Sequence, residues 1–430
     1  VSFRVPPALR HRRFTILWLG LLVSIAGSHM QVAAIHWHIR ELSAVPNPLA
    51  LGGIGLARIL PIVIFSLIGG AAADTFNRRT ILLITQSIMA LCALGLAALT
   101  YRGQIEIWQI YALTAIAAGA IAFDLPARQA MVPNLLPPDD LPSAFSMTSI
   151  AFNTGAIVGP ALSGIVIAGL GQGYTYFFNA ISYLAVIASL IAIGSVAQDT
   201  SRSPGVRVSA IVEGVRFIFA RKIILSSMLL DFFATFFAST NTLMPIIARD
   251  LLRVGVTGYG WLVAAQPIGA VIAALVVSQA QVLRRQGRLL VGAVIAFGVS
   301  TMLFGLANAF LLAMLMLVAM GAADAVSTII RNTIRQLQTP DTMRGRMTSI
   351  NQVFFQGGPQ FGEVEAGIVA QFLGVTFAII SGGIGTIVAT MLIIRRWPVL
   401  LAYNGDEPVP LEAFPAAEEP GPAQARQSAD

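Results

Sequence analysis

Three acids stand in stretches that are otherwise apolar: Asp231, Glu363 and Glu365. A carboxylate taken out of water can bind and release a proton near neutral pH, so each is a candidate for proton coupling. Each serves equally well as a hydrogen-bonded contact between helices. Glu363 and Glu365 point about 200° apart on a helix, so only one of them faces a given cavity fully. Arg58 is a further charge inside an apolar run. It either meets an anionic or electron-rich group of a ligand or pairs with a carboxylate from another segment. His29 and His36 share a helix face but lie two turns apart, about 10.5 Å, too far to hold one metal ion together. No metal site is expected. Met30, Trp37, Phe232 and Phe236 could add adaptable or aromatic surface beside His29 and Arg58, or they could face lipid.

Groups of this kind need elements that hold them away from water, and the composition says which. Of 430 residues, 56% are hydrophobic and 11% charged, and the mean hydropathy is +0.78. Soluble domains carry about 25% charged residues, so most soluble enzyme classes are excluded. Apolar runs of about 18 residues or more read as membrane-spanning helices. Twelve are predicted, over 14–40, 49–73, 80–100, 106–126, 143–169, 174–195, 223–249, 257–282, 289–306, 310–330, 346–373 and 374–396. The 39 glycines fit close packing of such helices. The single cysteine, Cys92, excludes a disulfide framework.

With the N-terminus on the cytoplasmic side, 22 of the 27 basic residues fall in inner segments and 4 in outer ones, leaving Arg58 within a span. Basic residues collect in cytoplasmic loops, so both termini are expected inside and the net charge of +7 implies no nucleic-acid partner. The chain divides into a six-helix half at 1–195, a linker with an amphipathic helix at 196–222, a second six-helix half at 223–396 and a disordered tail at 397–430. The halves repeat at a spacing of 199 to 209 residues: Met147-Thr-Ser-Ile150 recurs as Met347-Thr-Ser-Ile350, Gly159-Pro160 as Gly358-Pro359, Asp124 as Asp324, and Arg40-Glu41-Leu42 as Arg249-Asp250-Leu251. Such duplication marks alternating-access transporters, whose site lies between the halves near the midplane. The expected fold class is therefore an all-α membrane protein with twelve transmembrane helices in two pseudo-symmetric bundles.

The loop after the second span reads Gly69-Gly70-Ala-Ala-Ala-Asp74-Thr-Phe-Asn-Arg78-Arg79. It resembles the signature loop of the major facilitator superfamily, Gly-x-x-x-Asp before paired basic residues. Thr75 and Asn77 depart from the common pattern, and the corresponding loop after the eighth span has Gln279-Ala280 in place of the acid. The resemblance implies a cytoplasmic gate built from Gly70, Asp74, Arg78, Arg79, Asp124, Arg128 and Asp324, in which the 78–79 pair reaches Asp124. Gly155, Gly159, Pro160 and Gly164 resemble the antiporter motif of superfamily exporters, with Ser163 in place of a usual glycine; ordinary kinked packing explains them as well. Residues 123–133, 141–164 and 360–367 resemble the transmembrane secretion effector branch, which includes enterobactin exporters and macrolide-efflux proteins.

That resemblance implies a transporter exporting a small amphipathic molecule, a siderophore or a drug-like compound, by proton antiport. The alternatives are uptake by the same fold or a non-transporting sensor or subunit. The chain shows no Gly-x-x-x-x-Gly-Lys-Ser/Thr phosphate loop to couple ATP hydrolysis. No cofactor is expected. The expected partners are the small-molecule substrate, protons and the lipid bilayer, and the expected state is a monomer.

Overall fold

The structure is a computed structural model that describes residues 6–196, 208–279, 284–340 and 343–405. The chain runs α1 (Arg12–Leu42), α2 (Pro48–Thr75), α3 (Arg78–Tyr101), α4 (Ile107–Met131), α5 (Leu141–Leu170), α6 (Gln172–Ile193), α7 (Val208–Ala220) and α8 (Lys222–Phe237). It continues through α9 (Met244–Ile246), α10 (Gly255–Ser278), α11 (Gln286–Gly305), α12 (Phe310–Leu337), α13 (Arg344–Leu373), α14 (Val375–Arg396) and α15 (Val399–Ala402). No strand occurs among the described residues. Among the described residues, eleven helical stretches are long and apolar enough to cross a membrane. The 30-residue α13 is long enough too, and Glu363, Glu365 and its glutamines make it more polar.

Local chemistry sets the helix starts. Asn47 accepts from the Ala50 amide with Pro48 in the first turn, Asn77 caps α3, and Glu106 with Gln109 forms a capping box on α4. One glycine alone joins α5 to α6 and another joins α13 to α14: Gly171 at φ 90° and Gly374 at φ 89°. That backbone region is essentially open to glycine only, and the two corners stand at equivalent places in the repeat.

Packing follows the same symmetry. Within the first half α1 lies on α5 and α6, α2 on α4, and α3 on α4 and α6. Within the second, α8 lies on α13 and α14, α10 on α12, and α11 on α12 and α14. Two seams join the halves, α2 against α13 and α5 against α10. Both depend on backbones in contact: a Cβ at Gly367 would lie 2.8 Å from the Pro48 carbonyl, and one at Gly164 would lie 2.8 Å from that of Val256. Small residues at such crossings permit the approach.

Two expectations are corrected. The seventh span is not one continuous helix. α8 stops at Phe237, and the chain continues through a 3-10 turn (Asn241–Leu243), α9 and a π-helical turn (Ile247–Leu251). Polar Ser239-Thr-Asn-Thr242 makes the break tolerable, and Ser239 Oγ donates to the Pro359 carbonyl of α13 at 3.2 Å. The expected disorder from 397 also begins too early. Residues 397–405 are folded, with Leu400 and Tyr403 buried and the Gly287 amide donating to the Tyr403 carbonyl at 2.9 Å. Residues 406–430, and 197–207 of the expected linker, lie outside the described residues.

Candidate functional site

The bundle has an arginine-rich end, marked by Arg12, Arg13, Arg78, Arg79, Arg128 and Arg288, and an arginine-poor end, where α1 ends and α2 begins. A cavity of about 780 Å³ runs along the first half. Its inner part is lined by His36, Ile54 and Arg58, and its outer part by Arg128, Gln129 and Phe145 at the arginine-rich end. Gln129 and Phe145 are exposed there, so the cavity meets solvent at that end. His29, Ser24, Ser28, Gln31, Thr148, Ser149 and Phe152 furnish a wall of mixed polarity. The His29 ring stands edge-on to Phe152, with centroids 5.3 Å apart.

At the arginine-poor end the halves are clasped together. Arg40 reaches Asp250 with two parallel hydrogen bonds, Nε to Oδ2 at 2.8 Å and Nη2 to Oδ1 at 2.7 Å, and donates to the Ser43 carbonyl at 3.0 Å. The planar fork of arginine matches a carboxylate in this way, which makes the pair strong and directional. Tyr259 on α10 donates to the Ala33 carbonyl on α1 at 2.9 Å, and its ring packs on Trp37. The sequence had shown Arg40-Glu41-Leu42 and Arg249-Asp250-Leu251 only as echoes of one another. Their place at equivalent ends of two halves was the available signal that they could meet.

The acids fall in different settings. Glu363 is buried on the α2–α13 seam, in space left by a missing side chain: a Cβ at Gly55 would lie 3.3 Å from its Oε2. That oxygen finds no hydrogen-bond partner among the described residues. His36 on α1 lies within electrostatic reach of Glu363 and of Arg58. Its Nδ1 contacts the Val32 carbonyl at 2.8 Å, while Nε2 is buried and likewise without a partner. Glu365 is half-buried. Asp231 is buried against Arg331 of α12, Oδ1 to Nη1 at 2.6 Å, and Asp324 lies 3.7 Å from the same guanidinium.

The expected contact between the 78–79 pair and Asp124 is not made among the described residues. Asp124 is buried and held by Arg128 one turn along α4, by Gln86 Nε2 at 2.8 Å and by Thr85 Oγ1 at 3.1 Å. Arg78 instead donates to the Ala130 carbonyl at 3.0 Å and Arg79 to the Leu190 carbonyl at 2.8 Å, where they satisfy carbonyls at the ends of α4 and α6. An acid and an arginine four residues apart on one helix find each other before a longer reach is needed. Gly70 lies in the last turns of α2; of the Asp74 side chain nothing is described.

In α5, Gly155 and Gly159 press on α1, with a Cβ at Gly159 only 2.7 Å from that of His29, whereas the Pro160 carbonyl and Gly164 press on Gly260 of α10. The motif thus packs both against its own half and across the seam. Four expected cavity residues are elsewhere. Met30 is buried outside the cavity wall, Trp37 donates to Glu41 at 2.7 Å in the closed end, and Phe232 and Phe236 stack on each other, with Phe232 edge-on to Phe354 of α13. None is among the described residues that line the cavity; of the expected set, Arg58 and His29 do. Side-chain type alone cannot tell which face of a fully apolar helix meets the cavity.

Residues 5–418 match the family described as transmembrane secretion effector. The chain is similar to the multidrug efflux pump Tap of Mycolicibacterium fortuitum, 26% identical over 380 residues that make up 85% of this chain and 91% of that protein. It is also similar to the enterobactin exporter EntS of Citrobacter koseri, 24% identical over 349 residues, 80% of this chain and 82% of that one. Among solved structures, a POT family transporter in complex with 5-aminolevulinic acid superposes with a TM-score of 0.73 at 13% identity, covering 93% of this chain and 98% of that one. A bacterial homologue of the human lysosomal transporter Spinster gives 0.67 at 13% identity, covering 93% and 97%. With the cavity and its clasp, these likenesses make the chain a multi-pass bacterial membrane transport protein, not an enzyme. It belongs to the transmembrane secretion effector family, within the major facilitator superfamily.

Proposed function

We propose that the chain exports a small amphipathic organic molecule, of siderophore or drug-like kind, across the cytoplasmic membrane in exchange for protons. The observation that carries this reading is the cavity, which meets solvent at the arginine-rich end and is closed at the other by the Arg40–Asp250 clasp. On the basic bias the arginine-rich end is the cytoplasmic one, with both termini there, and this conformation is inward-open. The halves 1–195 and 223–396 then rock against each other about the linker 196–222, with a single chain as the transport unit. The outward direction is supported by the names of the relatives, an efflux pump and an exporter. Gly155, Gly159, Pro160 and Gly164 supply the flexing seam. Gly70, Asp74, Arg78, Arg79, Asp124, Arg128 and Asp324 belong to the cytoplasmic gate. Glu363, with Glu365 as the second choice, carries the coupling proton.

Inverted membrane vesicles give the direct test. An imposed proton gradient, acid inside, should drive accumulation of one or more members of a panel of anionic, neutral and cationic amphipathic dyes, and collapse of the gradient should release them. Gradient-independent equilibration of every transported dye would defeat the antiport reading.

Orientation is checked with single cysteines in a Cys92→Ser background. Val45 is 71% exposed in the α1–α2 loop, and Arg288 is exposed at the start of α11. In intact cells an impermeant maleimide should label Val45→Cys and spare Arg288→Cys. The reverse pattern would overturn the topology.

The clasp makes a further expected outcome. A hydrogen bond to a charged group contributes about 1.5–3 kcal/mol, less where solvent screens it, and the Asp250 side chain is 28% exposed. Loss of about 1.4 kcal/mol shifts an equilibrium tenfold. Arg40→Ala should therefore raise the outward-open fraction about tenfold. Leu51, fully buried in the first turn of α2 at this end, reports it: Leu51→Cys should be labelled from outside about tenfold faster with Arg40→Ala than without. Equal labelling rates would show that the clasp does not hold this end shut.

A further inference from the structure

We infer that the cavity is built for an organic anion, with Arg58 as the group that binds its charge. The inference rests on the transport reading above and names the substrate class for that site. Arg58 lies ten residues into α2, about 15 Å along the helix from the arginine-poor end, deep in the apolar layer. A charge at that depth is costly unless something neutralises it. Three other arginines of the bundle show what neutralisation looks like. Arg40 grips Asp250, Arg128 grips Asp124, and Arg331 sits between Asp231 and Asp324. Arg58 has no carboxylate within ion-pair distance and no hydrogen bond among the described residues; it faces the cavity.

The rest of the wall gives the same sign. Its one acid, Asp124, is already shared by Arg128, Gln86 and Thr85. His29 and His36 lie within electrostatic reach of Arg58, and neither brings a negative charge. Glu363 is not among the lining residues, and its carboxylate lies against Gly55, one turn toward the closed end. A cationic ligand would meet no free carboxylate in the cavity wall. An anion would meet a guanidinium suited to two-pronged binding of a planar carboxylate, with Phe152 and Phe145 for an aromatic body and Ser28, Gln31, Thr148 and Ser149 for hydroxyls.

Binding to purified protein in lipid nanodiscs tests this with three probes of one shape: 1-naphthoate, 1-naphthamide and 1-naphthylmethylammonium. The expected order is naphthoate at least about tenfold tighter than the amide, and the ammonium weakest. Arg58→Gln should erase the naphthoate advantage while amide binding, which also reports folding, is kept. Arg58→Lys should retain part of the advantage, because lysine keeps the charge but not the planar fork. Equal or tighter binding of the ammonium by the wild type overturns the inference, and so does an undiminished naphthoate preference in Arg58→Gln. A third reversal comes from the double variant: if Glu363→Gln restores naphthoate binding to Arg58→Gln, the arginine serves only to balance Glu363. Transport is judged separately in inverted vesicles. Proton-driven accumulation of the ammonium probe without naphthoate defeats the anion assignment and leaves the export reading standing; equilibration of naphthoate without gradient-driven accumulation does the opposite.

Discussion

Asp231→Asn will destabilise the protein by about 3 kcal/mol, read as earlier unfolding in detergent or mixed micelles. Asp231 and Arg331 have side chains only 6% and 4% exposed and stand 2.6 Å apart between α8 and α12. Removing one member of a buried ion pair strands the other charge, at a cost of roughly 3–5 kcal/mol. The lower figure applies because Asp324 stays 3.7 Å from Arg331 and the Thr328 hydroxyl accepts from it at 2.7 Å. The loss should be recovered when both charges go: Asp231→Leu with Arg331→Met should be near wild-type stability, since a buried pair replaced by apolar groups of similar volume is often neutral. Asp231→Asn with unchanged stability would show that the pair does not hold these helices together. If that variant were stable but had lost proton-driven export, the coupling role would pass from Glu363 to Asp231.

The pairing of Asp231 was not legible in the sequence, and the reason is physical. Hydropathy reports where a chain must leave water, so the long apolar runs and the glycine content point to the helical membrane fold, and the basic bias carries the proposed orientation. Neither says which side chain lies opposite which. Arg331 is a hundred residues from Asp231 and reads as one more basic residue at a helix end. Asp124 was assigned to the 78–79 pair because a signature loop suggested it, while Arg128 was nearer on the same helix. The break after Phe237 was hidden for a related cause. The seventh run stays apolar enough on average through residue 251, and averaging conceals the four polar residues that let the backbone turn. The sequence leaves Arg58 between two roles, and no carboxylate lies within ion-pair distance of it among the described residues.

Glu363→Gln should abolish export driven by a proton gradient while leaving substrate binding and substrate counterflow in place. A coupling acid must be buried enough to gain or lose a proton at an ordinary pH and must be able to meet each side of the membrane in turn. Glu363 is 6% exposed, on a seam that alternating access has to open. Asp124 and Asp231 are tied by arginines, whereas Glu363 Oε2 has no partner among the described residues. The backbone packed against this part of α13 is irregular. Pro359, four residues earlier, leaves α13 helical but removes one backbone donor, and the break after Phe237 lies against Pro359 and Gly362. Irregular backbone at membrane depth is tolerated where it lines water or is buried in protein, and here it offers a route for a proton as the seam parts. His36, whose Nε2 has no partner among the described residues, lies in electrostatic reach of the acid and lines the cavity. In vesicles, the variant should equilibrate substrate but no longer concentrate it when the lumen is acid. Glu365→Gln, about 200° away on the same helix, should lose less. Full proton-driven export by Glu363→Gln would remove the assignment, and loss in Glu365→Gln alone would move it two residues along the helix. Full activity in both, with a dependence on external sodium, would make the coupling ion sodium.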